Sequence, residues 1–201
     1  QNRNEKYQFH EQSGQFMDAK DESINSELKI KLISLISNYL PEDFRLRIKI
    51  DNSYGFINKN GKIISKGFKD AYSFKEGFAK VRFNDYSIGF INKNGNIIAK
   101  GFKDANSFNE GFAVVQFNDY SYGFINKDGN IIAKGFKDAN SFNEGFAVVQ
   151  FNDYSYGFIN KDGNIIAKGF KDAGSFNEGF AWVQFNDDSY GFINKDGNII
   201  A

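Results

Sequence analysis

The chain has 201 residues, no cysteine, and equal numbers of basic and acidic residues, 25 of each. The lack of cysteine excludes disulfides, thiolate chemistry and cysteine-ligated metal, and the zero net charge argues against a general polyanion-binding protein. No apolar run approaches the ~20 residues that a membrane span needs. Because the first residue is Gln1 rather than methionine, we interpret the N-terminus as processed, which fits a secreted or cell-surface protein but leaves the compartment open.

Two segments precede the main body of the chain. Residues 1–20 are polar and show no periodicity, which predicts a flexible arm. Residues 21–41 carry apolar side chains at a spacing of about 3.6 residues, which predicts an amphipathic helix. Asp21 or Ser23 is the expected N-cap, and Pro41 is expected to end the helix. The predicted apolar face consists of Ile24, Leu28, Leu32, Leu35, Ile36 and Leu40.

Residues 42–201 form a tandem repeat with a period of 34 residues. Residues 101–134 are repeated letter for letter by residues 135–168, and the flanking copies differ from them at few positions. The units fall at about residues 42–66, 67–100, 101–134, 135–168 and 169–201. Stacked repeats share one elongated core whose ends need cover, so we interpret the helix of residues 21–41 as an N-terminal cap.

Each unit contains three strand signals. In the third unit, residues 112–118 and 122–127 are rich in aromatic and β-branched residues, and residues 130–133 follow an Asp128-Gly129 pair. That pair predicts a two-residue type I′ turn, in which both central residues have positive φ. Residues 101–111 contain turn formers and are interpreted as an ordered connection. The predicted fold is mostly β, with three-stranded repeats in an open solenoid-like stack, and a small five-bladed propeller is the alternative.

The copies within the chain distinguish core positions from variable ones. Ala113, Val115 and Phe117 recur in every complete unit, and the two-residue strand period places them on one face, which we assign to the core. The opposite face varies, which predicts that it faces solvent. One variable position holds Lys80, Val114, Val148 and Trp182, a second holds Arg82, Gln116, Gln150 and Gln184, and a third, at a hairpin tip, holds Tyr86, Tyr120, Tyr154 and Asp188.

Ladders of variable positions along successive units are what an extended partner would contact. The candidate ligand-binding residues are therefore Lys80, Arg82, Tyr86, Tyr120, Tyr154 and Trp182. The tip tyrosines have no packing role that the sequence identifies, and they either pack on a neighbouring loop or bind a ligand. Trp182 either caps the last unit or anchors a ligand.

These residues also carry a family resemblance. The segment Tyr-Gly-Phe-Ile-Asn-Lys-Asp-Gly-Asn-Ile-Ile (122–132), followed by Phe-Lys-Asp-Ala (136–139) and Phe-Asn-Glu-Gly-Phe-Ala (142–147), resembles the bacterial WG repeat, also called the KWG repeat. The likeness covers about residues 46–201 in five copies. The family's signature tryptophan is tyrosine in most copies here, and its Pro-Pro pair is Ala133-Lys134. The resemblance implies a β-rich repeat protein, often of cell-surface or uncharacterised role, with no catalytic residues to carry over.

The residues that could act as catalytic acids, bases or metal ligands do not predict an enzyme. The only histidine, His10, lies in the predicted arm. Asp104, Glu110 and Asp119 recur in every complete unit, at turns where carboxylates accept hydrogen bonds from backbone amides rather than in one asymmetric pocket. We therefore expect no catalytic site, metal or cofactor.

The leading hypothesis is a non-enzymatic scaffold that binds another protein through the variable ladders. One alternative is carbohydrate or cell-wall binding through the exposed tyrosines. Another is self-assembly through the apolar strand of residues 198–201, whose edge is predicted to be unprotected. Nucleic acid is disfavoured as a partner because the two identical units are net acidic.

Overall fold

The computed structural model describes residues 8–10, 15–17 and 25–200. Strands β1 (Gln8–His10) and β2 (Gln15–Met17) pair in antiparallel fashion. The rest of the predicted arm lies outside the described residues, as do the candidate caps Asp21 and Ser23. Within the described part of the chain, none of the helices has the length and hydropathy needed to span a bilayer.

Helix α1 spans Ser26–Leu35 and is followed by a short 3-10 helix at Ser37–Tyr39. The N-cap is Asn25, whose side-chain oxygen accepts a hydrogen bond from the backbone N–H of Leu28 at 2.9 Å. This bond satisfies one of the N–H groups that the first turn leaves without an intrahelical partner, and it explains why the regular helix begins there.

One side of α1 packs against the first sheet of the repeat array. Ile33 is fully buried in this contact and meets Leu46, Ile48 and Ile57. Leu35, which the sequence placed on the apolar face, is instead 78% exposed. The prediction was wrong for Leu35 because the position of the sheet, rather than the apolar spacing alone, selects which side of the helix is covered.

The remaining described strands form five antiparallel sheets of consecutive strands. The first sheet contains β3 (Arg45–Ile50), β4 (Ser53–Asn58) and β5 (Ile63–Phe68). The second contains β6 (Asp70–Ala71), β7 (Phe78–Arg82), β8 (Ile88–Asn92) and β9 (Ile97–Phe102). The third contains β10 (Asp104–Ala105), β11 (Phe112–Gln116), β12 (Tyr122–Asn126) and β13 (Ile131–Phe136). The fourth contains β14 (Asp138–Ala139), β15 (Phe146–Gln150), β16 (Tyr156–Asn160) and β17 (Ile165–Phe170). The fifth contains β18 (Asp172–Ala173), β19 (Phe180–Gln184) and β20 (Tyr190–Asn194).

The second, third and fourth sheets have four strands, so the prediction of three-stranded repeats is wrong for them. The extra strand is the Asp-Ala pair, as in β10, where Ala105 pairs with Val115. A strand of two residues has no alternation that a sequence pattern can reveal. The segment interpreted as a connection therefore contributes the first strand of each of these sheets.

The turn between β12 and β13 also differs from the prediction. The Gly129 N–H donates to the Asn126 carbonyl at 2.9 Å, and the Asn126 N–H donates to the Asn130 carbonyl at 2.9 Å. Gly129 has a φ of 82°, whereas Asp128 is not among the residues of positive φ. A type I′ turn needs positive φ at both, so this is a turn followed by a bulge residue. A Cβ on Gly129 would lie 2.1 Å from the Ile98 carbonyl oxygen of the second sheet, which explains the glycine.

Successive sheets pack face to face through phenylalanine rings. Phe142, from the segment before β15, lies with its ring centroid 4.7 Å from that of Phe112 and 5.1 Å from that of Phe124, both in the third sheet. Phe176 repeats the contact one unit later, 4.6 Å from Phe146. Each core cluster of the array therefore combines residues of two neighbouring sheets.

This packing buries both faces of the inner sheets. Val114 and Val148 are only 4% and 3% exposed, although the variability of their position predicted contact with solvent. That prediction was wrong because the following sheet covers the second face. The series is not closed, since Phe192 in the fifth sheet is 52% exposed, whereas its counterpart Phe158 in the fourth is fully buried.

Candidate interaction sites

The hairpin between β11 and β12 presents Tyr120 to solvent. The Tyr120 N–H donates to the Phe117 carbonyl at 3.0 Å, and the tyrosine is 65% exposed. The Asp119 carboxylate accepts hydrogen bonds from the Ser121 hydroxyl at 2.7 Å and the Ser121 N–H at 3.0 Å. These two bonds hold the pKa of Asp119 below its usual value. The tip is therefore a hydrogen-bonded turn with an exposed aromatic ring.

The tip tyrosines adopt a backbone conformation that glycine or asparagine usually occupies. Tyr86, Tyr120 and Tyr154 have φ values of 65°, 66° and 67°, and Asp188 at the fourth tip has 70°. Backbone strain of this kind costs on the order of 1–3 kcal/mol per residue. Three tyrosines are thus present at a position where they cost stability.

A lysine lies against each tip tyrosine. Lys103 Nζ is 3.1 Å from the centroid of the Tyr120 ring, and the equivalent distances are 3.5 Å for Lys69 and Tyr86 and 3.2 Å for Lys137 and Tyr154. We name this set of three pairs the tip ladder. The sequence identified no packing role for the tyrosines because the lysine lies 17 residues away, before the short first strand.

The fourth tip supports the pairing. Asp188 replaces the tyrosine there, and its carboxylate forms an ion pair with Lys171. The hydrogen bond and the charge of Asp188 raise the pKa of Lys171. Comparison of the copies could have revealed this pairing, because the tyrosine is replaced by a carboxylate while the lysine is unchanged.

A cleft of about 560 Å³ lies between the tip of Tyr154 and the tip of Asp188. Its walls include Tyr154, Lys168, Lys171 and Asn186. The Asn186 side-chain N–H donates to the Gly169 carbonyl at 3.4 Å, which connects the Asp188 tip to the segment between the fourth and fifth sheets. Neighbouring tips therefore combine into one surface that offers an aromatic ring, ammonium groups and an amide.

Lys80 and Arg82 are placed differently from the tips. Lys80 Nζ donates to the Ala105 carbonyl oxygen of the next sheet at 2.8 Å and lies 4.4 Å from the centroid of the Tyr72 ring. Arg82 Nη1 lies 3.5 Å from the carbonyl oxygen of Tyr86. Lys80 thus lies between two sheets, whereas Arg82 lies beside a tip.

Trp182 lies on the outer face of the fifth sheet and is 39% exposed. A Cβ at Gly174 would lie 2.0 Å from the indole Nε1, so the glycine makes room for the ring. The cross-strand neighbours vary together through the array: Tyr72 with Lys80, Asn106 with Val114, Asn140 with Val148, and Gly174 with Trp182. Sequence reasoning missed this pairing, although the internal copies display it.

The outer face of the fifth sheet, which we name the terminal face, is uncovered. It consists of Phe180, Trp182, Tyr190 and Phe192, which are 47%, 39%, 67% and 52% exposed. Their counterparts in the fourth sheet belong to a core cluster with the following unit, in which Phe146 and Phe158 contact the ring of Phe176. The predicted edge strand is partly paired, since Ile199 bridges to Ile193 and the Ile200 N–H donates to the Phe192 carbonyl at 2.8 Å.

The recurring glutamates join the units. The Glu110 carboxylate accepts hydrogen bonds from the backbone N–H groups of Glu144 at 2.7 Å and Gly145 at 2.8 Å, and Lys161 Nζ lies 3.3 Å away. Burial raises the pKa of Glu110, but these partners outweigh it, and the pKa lies below its usual value. Glu76 and Glu144 make the same paired bonds, and the three form the glutamate ladder. The recurring carboxylates thus bind backbone amides, as their position at turns predicted.

The fold and these surfaces define a class of protein: a tandem array of antiparallel β-sheets that displays equivalent side chains at repeated positions. The model of the family described as "WG containing repeat" matches residues 54–86, 88–120, 122–154 and 156–187. The chain belongs to the WG-repeat family, and the resemblance seen in the sequence is confirmed.

Solved structures resemble the array only distantly. The WD40 beta propeller domain of Doa1 is 13% identical, with 78% of this chain and 60% of that chain covered, at a TM-score of 0.37. BamB from Moraxella catarrhalis is 10% identical, with 78% and 57% covered, at a TM-score of 0.39. The computationally designed Ika8 protein is 10% identical, with 74% and 57% covered, at a TM-score of 0.40. The chain spans less than two thirds of each of these structures. Among curated proteins, none matches this sequence significantly.

Proposed function

We propose that the chain is a non-enzymatic protein-interaction module and that the tip ladder is its binding surface. The observation that carries the proposal is the set of tip tyrosines, which are 61% to 65% exposed at a strained backbone position. Residues held in strained conformations concentrate at functional sites, and tyrosine is among the residues that dominate binding energy in protein interfaces.

The charge around the tips favours an acidic partner. At the Tyr120 tip, Lys103 lies against the tyrosine ring and Lys134 Nζ lies 4.8 Å from the Phe117 ring, beside the single carboxylate of Asp119. Two ammonium groups for each carboxylate give the tip a net positive charge. A partner segment with acidic and apolar side chains would satisfy both the lysines and the tyrosine rings.

An extended partner fits the arrangement of the sheets that we infer. We take the array to be an open, solenoid-like stack with an N-terminal cap, because α1 covers the first sheet while the terminal face is uncovered. In such a stack, equivalent tips follow one another along one side, so a single segment contacts several of them.

The test uses a substitution that the chain itself contains. The triple variant Tyr86→Asp, Tyr120→Asp, Tyr154→Asp gives the first three tips the residue of the fourth, where Asp188 pairs with Lys171. We expect an unchanged fold by circular dichroism. Proteins that the wild type captures from an extract of the source cells should no longer be retained by the variant. The Kd for a purified partner should rise at least tenfold, which is a loss of about 1.4 kcal/mol in binding free energy.

Tyr39→Asp is the matched control, because Tyr39 is 89% exposed and lies on the 3-10 helix, away from the tips. It should leave the capture unchanged. Equal retention by the wild type and the triple variant would exclude the tip ladder as the binding surface. If a purified cell-wall polysaccharide, rather than a protein, is retained by the wild type and lost by the triple variant, the carbohydrate alternative replaces the leading proposal.

The terminal face favours a second candidate function, self-assembly. Four uncovered aromatic side chains form an apolar patch of the kind that marks association sites. We expect the sedimentation coefficient to rise with protein concentration and the double variant Trp182→Asp, Phe192→Asp to remain monomeric over the same range. A wild type that stays monomeric throughout would remove this candidate while leaving the tip ladder untouched.

A further inference from the structure

Two of the contacts between successive sheets include a cationic side chain that donates a hydrogen bond to the next sheet. Arg47 Nη1, from the first sheet, donates to the Ala71 carbonyl oxygen of the second at 2.7 Å. Lys80 Nζ, from the second sheet, donates to the Ala105 carbonyl oxygen of the third at 2.8 Å. In both cases the cation comes from the same position of the preceding sheet, and the acceptor is the alanine of the Asp-Ala strand. The alanine carbonyl of the Asp-Ala strand is thus a repeated acceptor of hydrogen bonds from cationic N–H groups.

The next contact has the same acceptor but supplies no cation of its own. Val114 is the counterpart of Lys80, since each lies opposite the phenylalanine of the following strand. Ala139 is likewise the counterpart of Ala105. The isopropyl group of valine offers no hydrogen bond to the Ala139 carbonyl oxygen.

A polar cleft of about 260 Å³ occupies this place, between the third and fourth sheets. Val114 and Ala139 line it, and the polar lining residues are Asp104, Asn106, Gln116, Tyr122, Asp138 and Asn140. None of the described residues that line the cleft is cationic. Its lining therefore combines two carboxylates with amide and phenol oxygens.

The two carboxylates are oriented by the backbone. Asp104 Oδ1 accepts the N–H of Ala105, and Asp138 Oδ1 accepts the N–H of Ala139, both at 2.8 Å. The second oxygen of each carboxylate takes no part in this bond. Hydrogen bonds from a cation to such acceptors are roughly twice as strong as bonds between neutral groups.

We propose that this cleft binds a primary ammonium group, which donates to the Ala139 carbonyl oxygen in the way that Lys80 donates to Ala105. Asp104 and Asp138 place carboxylate oxygens beside it as further acceptors. The ammonium comes either from a small alkylamine or from a lysine side chain of a partner. This site is distinct from the tip ladder, and its test does not depend on the proposed function.

The first experiment is a titration of the isotopically labelled chain followed by NMR. n-Butylammonium should shift the amide signals of Ala139 and Asn140 saturably, with a Kd of about 1 mM, as expected for one small cation. Neutral n-butanol should not shift them. The peptide acetyl-Gly-Lys-Gly-amide tests the second source, because only a site open to a polypeptide would bind it. Equal shifts with n-butanol and n-butylammonium, or no saturable shift with either amine, would overturn the proposal.

Two variants test the assignment of residues. The double variant Asn106→Tyr, Val114→Lys rebuilds the Tyr72 and Lys80 pair at this contact, so its own ammonium should fill the cleft and weaken n-butylammonium binding at least tenfold. Val115→Lys is the control, because Val115 is fully buried in the apolar core between the second and third sheets and should not tolerate the charge. Should the rebuilt pair fail to fold, the isosteric variant Asp104→Asn, Asp138→Asn provides the same readout. Undiminished binding in that variant would exclude the carboxylates, and the proposal with them.

Discussion

Replacing Phe142 by alanine is expected to lower the free energy of unfolding by about 3–5 kcal/mol, the range for a buried phenylalanine. The ring is 1% exposed and packs between Phe112 and Phe124 of the preceding sheet. Its removal leaves a cavity between the third and fourth sheets that rigid strands cannot close. Urea denaturation followed by circular dichroism measures the change as a shift of the midpoint at constant slope.

Phe192→Ala is the matched control for this prediction. Phe192 belongs to the terminal face and is 52% exposed, whereas its counterparts Phe124 and Phe158 are fully buried. No sheet among the described residues covers Phe192, so its ring buries little apolar area. Its removal should therefore lower the free energy of unfolding by less than about 1 kcal/mol. Equal costs for Phe142→Ala and Phe192→Ala would contradict the face-to-face packing of successive sheets.

Replacing Glu110 by alanine is expected to lower the free energy of unfolding by about 2–3 kcal/mol, because two backbone N–H groups lose a charged acceptor. The Glu110 side chain is 28% exposed, and its carboxylate bonds the N–H groups of Glu144 and Gly145 in the next unit. Lys161 would lose its ion pair as well, though a pair at this exposure adds little. The same denaturation experiment measures the effect, and hydrogen exchange at Gly145 should accelerate.

Glu178→Ala is the control, and it also removes a confounding backbone effect. Glu178 occupies the same turn position, with a φ of 51° against 50° for Glu110, so alanine meets the same backbone strain in both variants. Among the described residues, no following unit offers amides to the Glu178 carboxylate. We expect a change within about 0.5 kcal/mol, as for most surface substitutions. A cost as large as that of Glu110→Ala would mean that the turn, rather than the glutamate ladder, depends on the side chain.

Much of the fold could be predicted from the sequence because the repeated units can be compared with one another. The invariance of Ala113 and Val115 identified one buried face of each sheet, and both side chains are at most 1% exposed. The variable position at the hairpin tip predicted exposure for Tyr120, which is 65% exposed. The residues that carry the WG-repeat resemblance identified the family. In each case the informative pattern, strand alternation or turn chemistry, is local in sequence and recurs among the copies.

The tertiary structure decided what lies on the second face of each sheet. Val114 varies among the copies and was expected at the surface, yet the next sheet buries it, whereas Trp182 at the end of the series is 39% exposed. The packing of successive sheets places the Phe142 ring against the preceding sheet, and the packing of α1 on the first sheet leaves Leu35 exposed. The tertiary structure also brings Lys103 onto the ring of Tyr120. Strand periodicity tells which side chains share a face, but the neighbour that covers that face is set by contacts between units, which a one-dimensional pattern does not contain.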